Sequence, residues 1–242
     1  MHQALLFAGL TALATTAGGF VALKTRDRLH LVLGLSAGLL LGLVGFDLLP
    51  TDFSLARTWG GVRESSLMLV VGFLVLHLSE KLFATHEPHD SDYGHDHKHL
   101  AGPVTGLAMA GHVFLDGMGI GVAFHVSTSL GLAVFFALVV HAFSDGLNTV
   151  SFLIHNGRWT NGAKSLLLID ATCRLSGAAV GSYLVFNSSF VSLYLSLFTG
   201  FVIYIATSHI LPEAHASHDS RATMFMTVLG VGVMWIVVAG GA

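Results

Sequence analysis

The sequence predicts an all-α polytopic membrane protein with eight transmembrane helices, arranged as an inverted repeat around helices four and five. Three observations predict this fold class. Charged residues make up only 10% of the 242 residues, whereas a soluble domain has about 25%. The apolar residues fall in long blocks separated by short polar stretches. Two strings of one shared pattern lie in the fourth and fifth blocks.

The apolar blocks are each close to the roughly 20 residues that a membrane-spanning helix needs. Helices are expected because backbone polar groups in hydrocarbon must be satisfied internally, and the blocks lack the two-residue alternation of barrel strands. The predicted spans are residues 3–23, 29–50, 65–84, 102–124, 130–154, 163–186, 190–212 and 223–241. They form a single transmembrane domain over residues 1–242, in which residues 85–101 are a His-rich cytoplasmic loop.

Basic residues are distributed unequally between the two sides of this arrangement. Eight lysines and arginines lie on one predicted side of the membrane, and only Arg57 and Arg63 lie on the other. Because cytoplasmic loops carry the excess of Lys and Arg, both termini are expected outside, in an integral protein of the plasma (inner) membrane. The eight residues on the predicted inner side are Lys24, Arg26, Arg28, Lys81, Lys98, Arg158, Lys164 and Arg221.

Spans four and five each contain the pattern H-x-F-x-D-G. His112 and Asp116 are four residues apart in span four, as are His141 and Asp145 in span five. Residues i and i+4 share a helix face, and antiparallel helices can bring both pairs to the same depth. A helix–helix hydrogen bond would explain one buried histidine. Two His–Asp pairs favour a site for one tetrahedral divalent ion, because buried ionisable groups in a bilayer are costly and usually functional.

With these motifs the chain resembles the ZIP (Zrt/Irt-like) family of metal transporters. The string HVFLDGMGIGVAF is similar to the family's helix-four pattern, and HAFSDGL is similar to its helix-five pattern. The strings GFLVLHLSEKLF and GFVIYIATSHILPEA in spans three and seven add to the resemblance. It implies eight helices, outward termini, a variable loop after helix three and metal ligands on helices four and five.

The chain also departs from the family pattern. Many members use the residue after each motif histidine to hold a second metal, and here those residues are Val113 and Ala142. Arg174 stands where the family often has a glutamate in helix six. The resemblance therefore suggests a mononuclear site in which the Arg174 cation takes the place of the second metal. The alternative is an Asp170–Arg174 pair that only neutralises itself.

Other polar residues suggest a pathway through the membrane. Asp47 precedes Pro50 near the expected outer face, and His209 and Glu213 flank Pro212 near the inner face. We interpret Asp47 as a candidate acid at the entry of the pathway, although an ordinary interfacial carboxylate explains it better. We interpret His209 and Glu213 either as a metal-binding station at the exit or as an ordinary helix end. Asn148 lies one turn beyond Asp145, where it would contact the metal or a neighbouring helix.

The function expected from the sequence is uptake of a divalent transition metal into the cytoplasm. Zn²⁺ is the expected substrate, with Cd²⁺, Fe²⁺ or Mn²⁺ as alternatives and no resident cofactor. The expected partners are the metal ion and membrane lipid, with a homodimer left open. No basic patch suggests a nucleic-acid partner. The rival interpretation is an intramembrane zinc-dependent hydrolase assisted by Ser144 or Asp170.

Overall fold

A computed structural model describes residues 2–22, 29–84, 98–153, 161–183, 188–216 and 221–241. All of these residues are helical except Gly61 and Ser127. The α-helices are α1 His2–Ala22, α2 Leu29–Leu43, α3 Leu49–Leu55, α4 Val62–Ala84, α5 Lys98–Val126, α6 Thr128–Leu153, α7 Asn161–Tyr183, α8 Ser188–Tyr204, α9 Leu211–Ala216 and α10 Arg221–Gly241. Three π-helical segments lie between them: π1 Val44–Leu48, π2 Ala56–Gly60 and π3 Ile205–Ile210.

Six helices in the described part of the chain are long and apolar enough to cross a membrane. They cover His2–Val21, His30–Thr58, Val62–Ser79, Thr128–Gly146, Ser189–His215 and Arg221–Gly240. The chain is therefore a polytopic integral membrane protein. The expected spans four and six are not among the six. The described apolar part of α5 is the shorter stretch Ala110–Val126, and α7 contains the charged residues Lys164, Asp170 and Arg174.

Two prolines do not end their helices, although the sequence led us to end spans there. The helix that begins at Leu29 continues past Pro50 to Gly60, and the helix that begins at Ser188 continues past Pro212 to Ala216. A π-helical segment ends two residues before each proline. The wider π turn changes the backbone pairing just where proline supplies no N–H donor, so the chain can stay helical through it.

Four helix pairs form the closest packing: α5 with α7, α1 with α6, α2 with α10, and α4 with α8. Glycine makes these approaches close. A Cβ atom on Gly177 of α7 would meet the carbonyl oxygen of Phe114 on α5, and one on Gly146 of α6 would meet that of Thr15 on α1. Small residues let membrane helices pack backbone against backbone. These contacts hold α5, α6 and their neighbours in fixed register around the centre of the molecule.

Helices α4 and α10 lie at the outside of the described structure. Large apolar side chains are exposed along both helices, for example Leu67 and Val70 on α4 and Val228 and Ile236 on α10. Exposed apolar side chains along a membrane helix are compatible with contact to lipid tails. The buried core lies between the helix pairs and includes Leu40, Leu138 and Phe198.

Candidate metal centre

The four motif residues predicted from the sequence lie together between α5 and α6. The Nε2 atom of His112 is 3.4 Å from Nε2 of His141. The Nε2 atom of His141 is 3.2 Å from Oδ2 of Asp145. The ligand atoms of His112, His141 and Asp145 all lie within 4.8 Å of one another, so one ion could contact all three.

These separations match the size of a zinc coordination shell. Zinc binds histidine nitrogen and carboxylate oxygen at about 2.0–2.2 Å, so two ligand atoms on a tetrahedral ion are roughly 3.3 Å apart. The distances of 3.4 Å between the two histidines and 3.2 Å between His141 and Asp145 are close to that spacing. The arrangement can therefore hold a small tetrahedral dication without large movement of these side chains.

Asp116 is the fourth member of the cluster and is more deeply buried than its counterpart Asp145. Its Oδ2 atom is 3.7 Å from Nε2 of His112 and 4.0 Å from Nε2 of His141. That oxygen is buried and has no hydrogen-bond partner. A buried carboxylate oxygen without a hydrogen bond is costly, and an ion bound beside the two histidines would satisfy it.

Arg174 reaches the cluster from α7. Its Nη1 atom is 3.5 Å from Oδ2 of Asp116, and its Nη2 atom is 3.4 Å from Oδ1 of Asp170. The arginine is fully buried, at 0% exposure. It therefore contacts both the ligand cluster and Asp170, so the two sequence-based interpretations of this residue are compatible.

The two positions that follow the motif histidines offer no metal ligand. Val113 and Ala142 are both completely buried. Their side chains carry no nitrogen, oxygen or sulfur atom, so neither can coordinate an ion. Packing rather than coordination is the role of these two residues.

The remaining candidates lie in other helical segments than the four motif residues or outside the described side chains. Oδ1 of Asp47 is 3.4 Å from the Thr51 hydroxyl. His209 and Glu213 pair with each other at 3.8 Å and are exposed. The side chain of Asn148 and residues 85–97 of the predicted loop lie outside what the structure describes.

Two buried polar contacts were not predicted from the sequence. The Tyr194 hydroxyl donates to the carbonyl of Leu115, next to Asp116, at 3.2 Å. Asp52 lies 2.6 Å from the Thr199 hydroxyl of α8. Neither contact has a short sequence motif, because its partners are far apart in the chain. The one available signal was a carboxyl residue inside a long apolar block.

Comparison with known proteins gives a consistent group of relatives. The chain is 28% identical over 165 residues to zinc transporter ZIP9 of Micropogonias undulatus, covering 64% of this chain and 53% of that protein. It is 29% identical over 157 residues to zinc transporter ZIP9-A of Xenopus laevis, covering 60% and 51%. It is 28% identical over 128 residues to zinc transporter ZIP4 of Homo sapiens, covering 53% and 20%.

The chain spans about half the length of the ZIP9 proteins that it matches. No family model matches it. The chain is thus similar to several zinc transporters that carry the ZIP name, in agreement with the resemblance that its two H-x-F-x-D-G motifs indicated.

Proposed function

We propose that this protein transports a divalent transition metal, with zinc as its main substrate, across a membrane and into the cytoplasm. The observation that carries the proposal is the cluster of His112, His141 and Asp145 inside an all-helical membrane protein: His141 lies 3.4 Å from His112 and 3.2 Å from Asp145, and the three ligand atoms are all within 4.8 Å of one another. The names of the relatives support zinc as the metal. Two imidazoles also favour zinc over magnesium or calcium, whereas the carboxylates leave cadmium, iron and manganese as further substrates.

The site binds one metal per chain in this proposal. Asp116, Asp145, Asp170 and Arg174 lie in or beside the cluster. Three ionised carboxylates and one guanidinium leave two net negative charges when the histidines are neutral, and a single dication neutralises them. A second dication would leave an excess positive charge in a low-dielectric setting, which is costly. Val113 and Ala142 supply no ligand for it, and Arg174 occupies the space beside Asp116.

Eight membrane-spanning helices and an inverted repeat complete the proposed architecture. The repeat would exchange α5 with α6, α7 with α1, α2 with α8, and α4 with α10. The packing pairs support it, because α5–α7 then corresponds to α6–α1, and α2–α10 to α8–α4. The π segments ahead of Pro50 and Pro212 also become equivalent. Inverted repeats around a central site are a recurrent transporter plan.

The metal's path runs from the outer face to the inner face in this arrangement. Asp47 is the candidate acid on the entry side, and His209 with Glu213 is the candidate station on the exit side. Asn148 is proposed as a further contact next to Asp145. The termini lie outside a plasma membrane, and the predicted loop 85–101, whose residues 98–101 form the start of α5, lies on the cytoplasmic side, where its histidines would receive metal after passage.

The hydrolase interpretation has less support. The relatives are named as transporters and not as enzymes. The Ser144 hydroxyl, a candidate assistant in hydrolysis, is 2.9 Å from the carbonyl of His141 and 3.0 Å from that of Val140 on its own helix. Four ligands from two helices would also close the shell of the ion and leave no position for an activated water.

Zinc flux into proteoliposomes tests the proposal. Purified protein is expected to move zinc down its gradient, and His141→Ala and Asp145→Ala are expected to abolish both flux and binding at the site. His125→Ala is the matched control, because His125 is an exposed histidine near the end of α5. It should leave flux and binding unchanged.

Three outcomes would each overturn part of the proposal. If the unaltered protein transports none of zinc, cadmium, iron and manganese, the proposed transport function is wrong. Undiminished zinc binding in His141→Ala and Asp145→Ala would show that the metal binds elsewhere. Two tightly bound ions per chain would remove the mononuclear site while leaving transport intact.

A further inference from the structure

Asp52 is a buried carboxyl outside the metal centre. It lies in α3 and is only 3% exposed. One of its oxygens, Oδ2, is 2.6 Å from the Thr199 hydroxyl of α8. The other oxygen, Oδ1, is buried and has no hydrogen-bond partner. An ionised carboxylate in this position would lack the partners that normally compensate a buried charge.

No cation compensates Asp52 among the described side chains. None of the ion pairs of the described residues includes it. The elements packed against α3 are π1, π2, α4 and α8. Their described titratable or charged side chains are Asp47, Arg57, Arg63, Glu64, His77, Tyr194 and Tyr204. The basic ones close to α3 in sequence, Arg57 and Arg63, are exposed.

The geometry around Thr199 fits a protonated Asp52. The Thr199 hydroxyl is 2.6 Å from Asp52 and 2.9 Å from the carbonyl of Leu195. A hydroxyl donates only one hydrogen bond but can accept others. If Asp52 carries a proton and donates to Thr199, then Thr199 is free to donate to Leu195. Both short contacts are then satisfied, and no buried charge remains.

Buried hydroxyl groups lie along α8 between Asp52 and the end of the molecule where α4 begins. Ser192, Ser196 and Thr199 follow one face of α8, at spacings of four and three residues, and are at most 1% exposed. The Ser65 and Ser192 hydroxyls are 3.4 Å apart. Ser65 comes directly after the exposed residues Gly61–Glu64 at the start of α4. The Ser196 hydroxyl donates to the carbonyl of Ser192 at 3.0 Å. Because hydroxyl groups can both donate and accept, this line could pass a proton if the Ser196 hydroxyl turns from that carbonyl toward its neighbouring hydroxyls.

We propose that Asp52 is a proton-binding site that loads along the hydroxyl line Ser65, Ser192, Ser196 and Thr199, and that its proton moves in step with the transported metal. The coupling rests on the proposed transport function, whereas the proton site itself does not. The proposed metal centre is separate, because the hydrogen bond of Asp52 among the described residues goes to Thr199 and not to one of the four ligands. The hydroxyl line begins at the proposed outer face, so the proton would enter from outside.

Infrared difference spectroscopy on the zinc-saturated protein tests the site directly. Zinc removes protons from the carboxylates that bind it, so a remaining carboxylic-acid band of aspartate comes from elsewhere. The unaltered protein labelled with carbon-13 aspartate is expected to show such a band. Asp52→Asn should abolish it while its amide N–H can still donate to Thr199, and Asp52→Glu should shift it. Glu64→Gln, at an exposed carboxyl near the start of α4, is the matched control and should leave it unchanged.

Exchange into heavy water tests the path. The band of the unaltered protein is expected to shift at a rate that the measurement resolves, and Ser196→Ala should slow the shift by about tenfold or more, equivalent to about 1.4 kcal/mol at the barrier. Ser66→Ala, at an exposed serine next to Ser65, should not slow it. Equal exchange rates in the two serine variants would overturn the path.

A pH dye inside proteoliposomes tests the coupling. The unaltered protein is expected to acidify the lumen during zinc uptake, and Asp52→Asn should lose this acidification while still binding zinc at the centre. Absence of the aspartic-acid band would overturn the proton site. Zinc uptake without acidification, or acidification that persists in Asp52→Asn, would overturn the coupling and leave the transport function standing. Absence of any zinc flux would instead overturn the transport function, and the infrared result would still decide the proton site.

Discussion

Arg174 gives the metal centre a built-in positive charge. Its guanidinium is 3.5 Å from Asp116 and 3.4 Å from Asp170 and is completely buried. Without metal, this cation compensates part of the negative charge of the cluster. With metal bound, the same cation repels the dication. Arg174 is therefore expected to weaken metal binding and to ease release, both of which suit a transporter more than a storage site.

Replacement of Arg174 by a neutral side chain should separate these two effects. Arg174→Gln is expected to tighten zinc binding by at least about tenfold, because a like charge a few ångströms from the ion is removed. The same change should lower the stability of the metal-free protein by about 3–5 kcal/mol, since two buried carboxylates lose their partner. Chelator competition and thermal unfolding with and without zinc measure the two quantities.

Lys164→Gln is the matched control for this change. Lys164 is an exposed cation on the same helix, so its loss should alter neither zinc affinity nor stability by a measurable amount. An unchanged affinity in Arg174→Gln would mean that the guanidinium does not act on the metal and serves only to neutralise Asp116 and Asp170.

The residues of the cluster could be predicted because their signal is local. His112–Asp116 and His141–Asp145 are each one helical turn, and a repeated pattern in two neighbouring spans predicts that the pairs meet. The same reasoning could not predict that Asp116 is more deeply buried than Asp145, because that depends on the approach of α7. It also could not pair Asp52 with Thr199, which are 147 residues apart in the chain.

At the scale of helices, the approach of α7 to α5 depends on glycine. The Cβ positions of Gly177 and Gly117 both point at backbone of the opposite helix: Gly177 faces Phe114, and Gly117 faces the carbonyl of Arg174 itself. Backbone atoms cannot move aside as a flexible side chain would. This close contact brings the guanidinium within reach of Asp116.

Enlargement of Gly177 should therefore separate α5 from α7. Gly177→Ala is expected to destabilise the protein by about 1–3 kcal/mol through overpacking and to weaken the contact between Arg174 and Asp116. Thermal unfolding of the purified protein in detergent measures the loss. Because the arginine then repels the ion less, zinc affinity in this variant should rise and not fall.

Gly111→Ala on α5 is the control for Gly177→Ala. A Cβ atom there would meet nothing within 4 Å, so stability should stay the same or rise slightly from the better helix propensity of alanine. Equal loss of stability in both variants would show that helix–helix contact is not what the glycine of α7 provides.

The helix ends predicted at two prolines were wrong. Pro50 and Pro212 indicated helix ends, since proline lacks an N–H donor. The helices instead continue through π1 and π3, which lie just before the prolines. A π turn depends on hydrogen bonds across five residues and on the packing of the helix against its neighbours, and neither is visible in a pattern of apolar residues. The existence of the helices, by contrast, follows from composition alone.

At the scale of the whole molecule, the long apolar helices indicate that the chain crosses a membrane. The distribution of Lys and Arg predicts which side of the protein faces the cytoplasm. Eight basic residues lie on one predicted side and two on the other. The four ligands of the proposed metal centre come as matching His–Asp pairs from α5 and α6, so the ligand set itself does not indicate which side is outside. Orientation must therefore come from the loops, which is also why the direction of transport is a proposal.

Cysteine labelling in intact cells tests the orientation. Cys173 is the only cysteine, so Cys173→Ser gives a background in which a single new thiol can be placed. Thr58→Cys, at an exposed position near the connection before α4, is expected to react with a membrane-impermeant maleimide added outside. Arg221→Cys, at the exposed start of α10, is expected to react only after the cells are opened, because the positive-inside rule places that connection in the cytoplasm. Labelling of Arg221→Cys but not Thr58→Cys from outside would reverse the orientation, and with it the proposed entry role of Asp47 and exit role of His209 and Glu213.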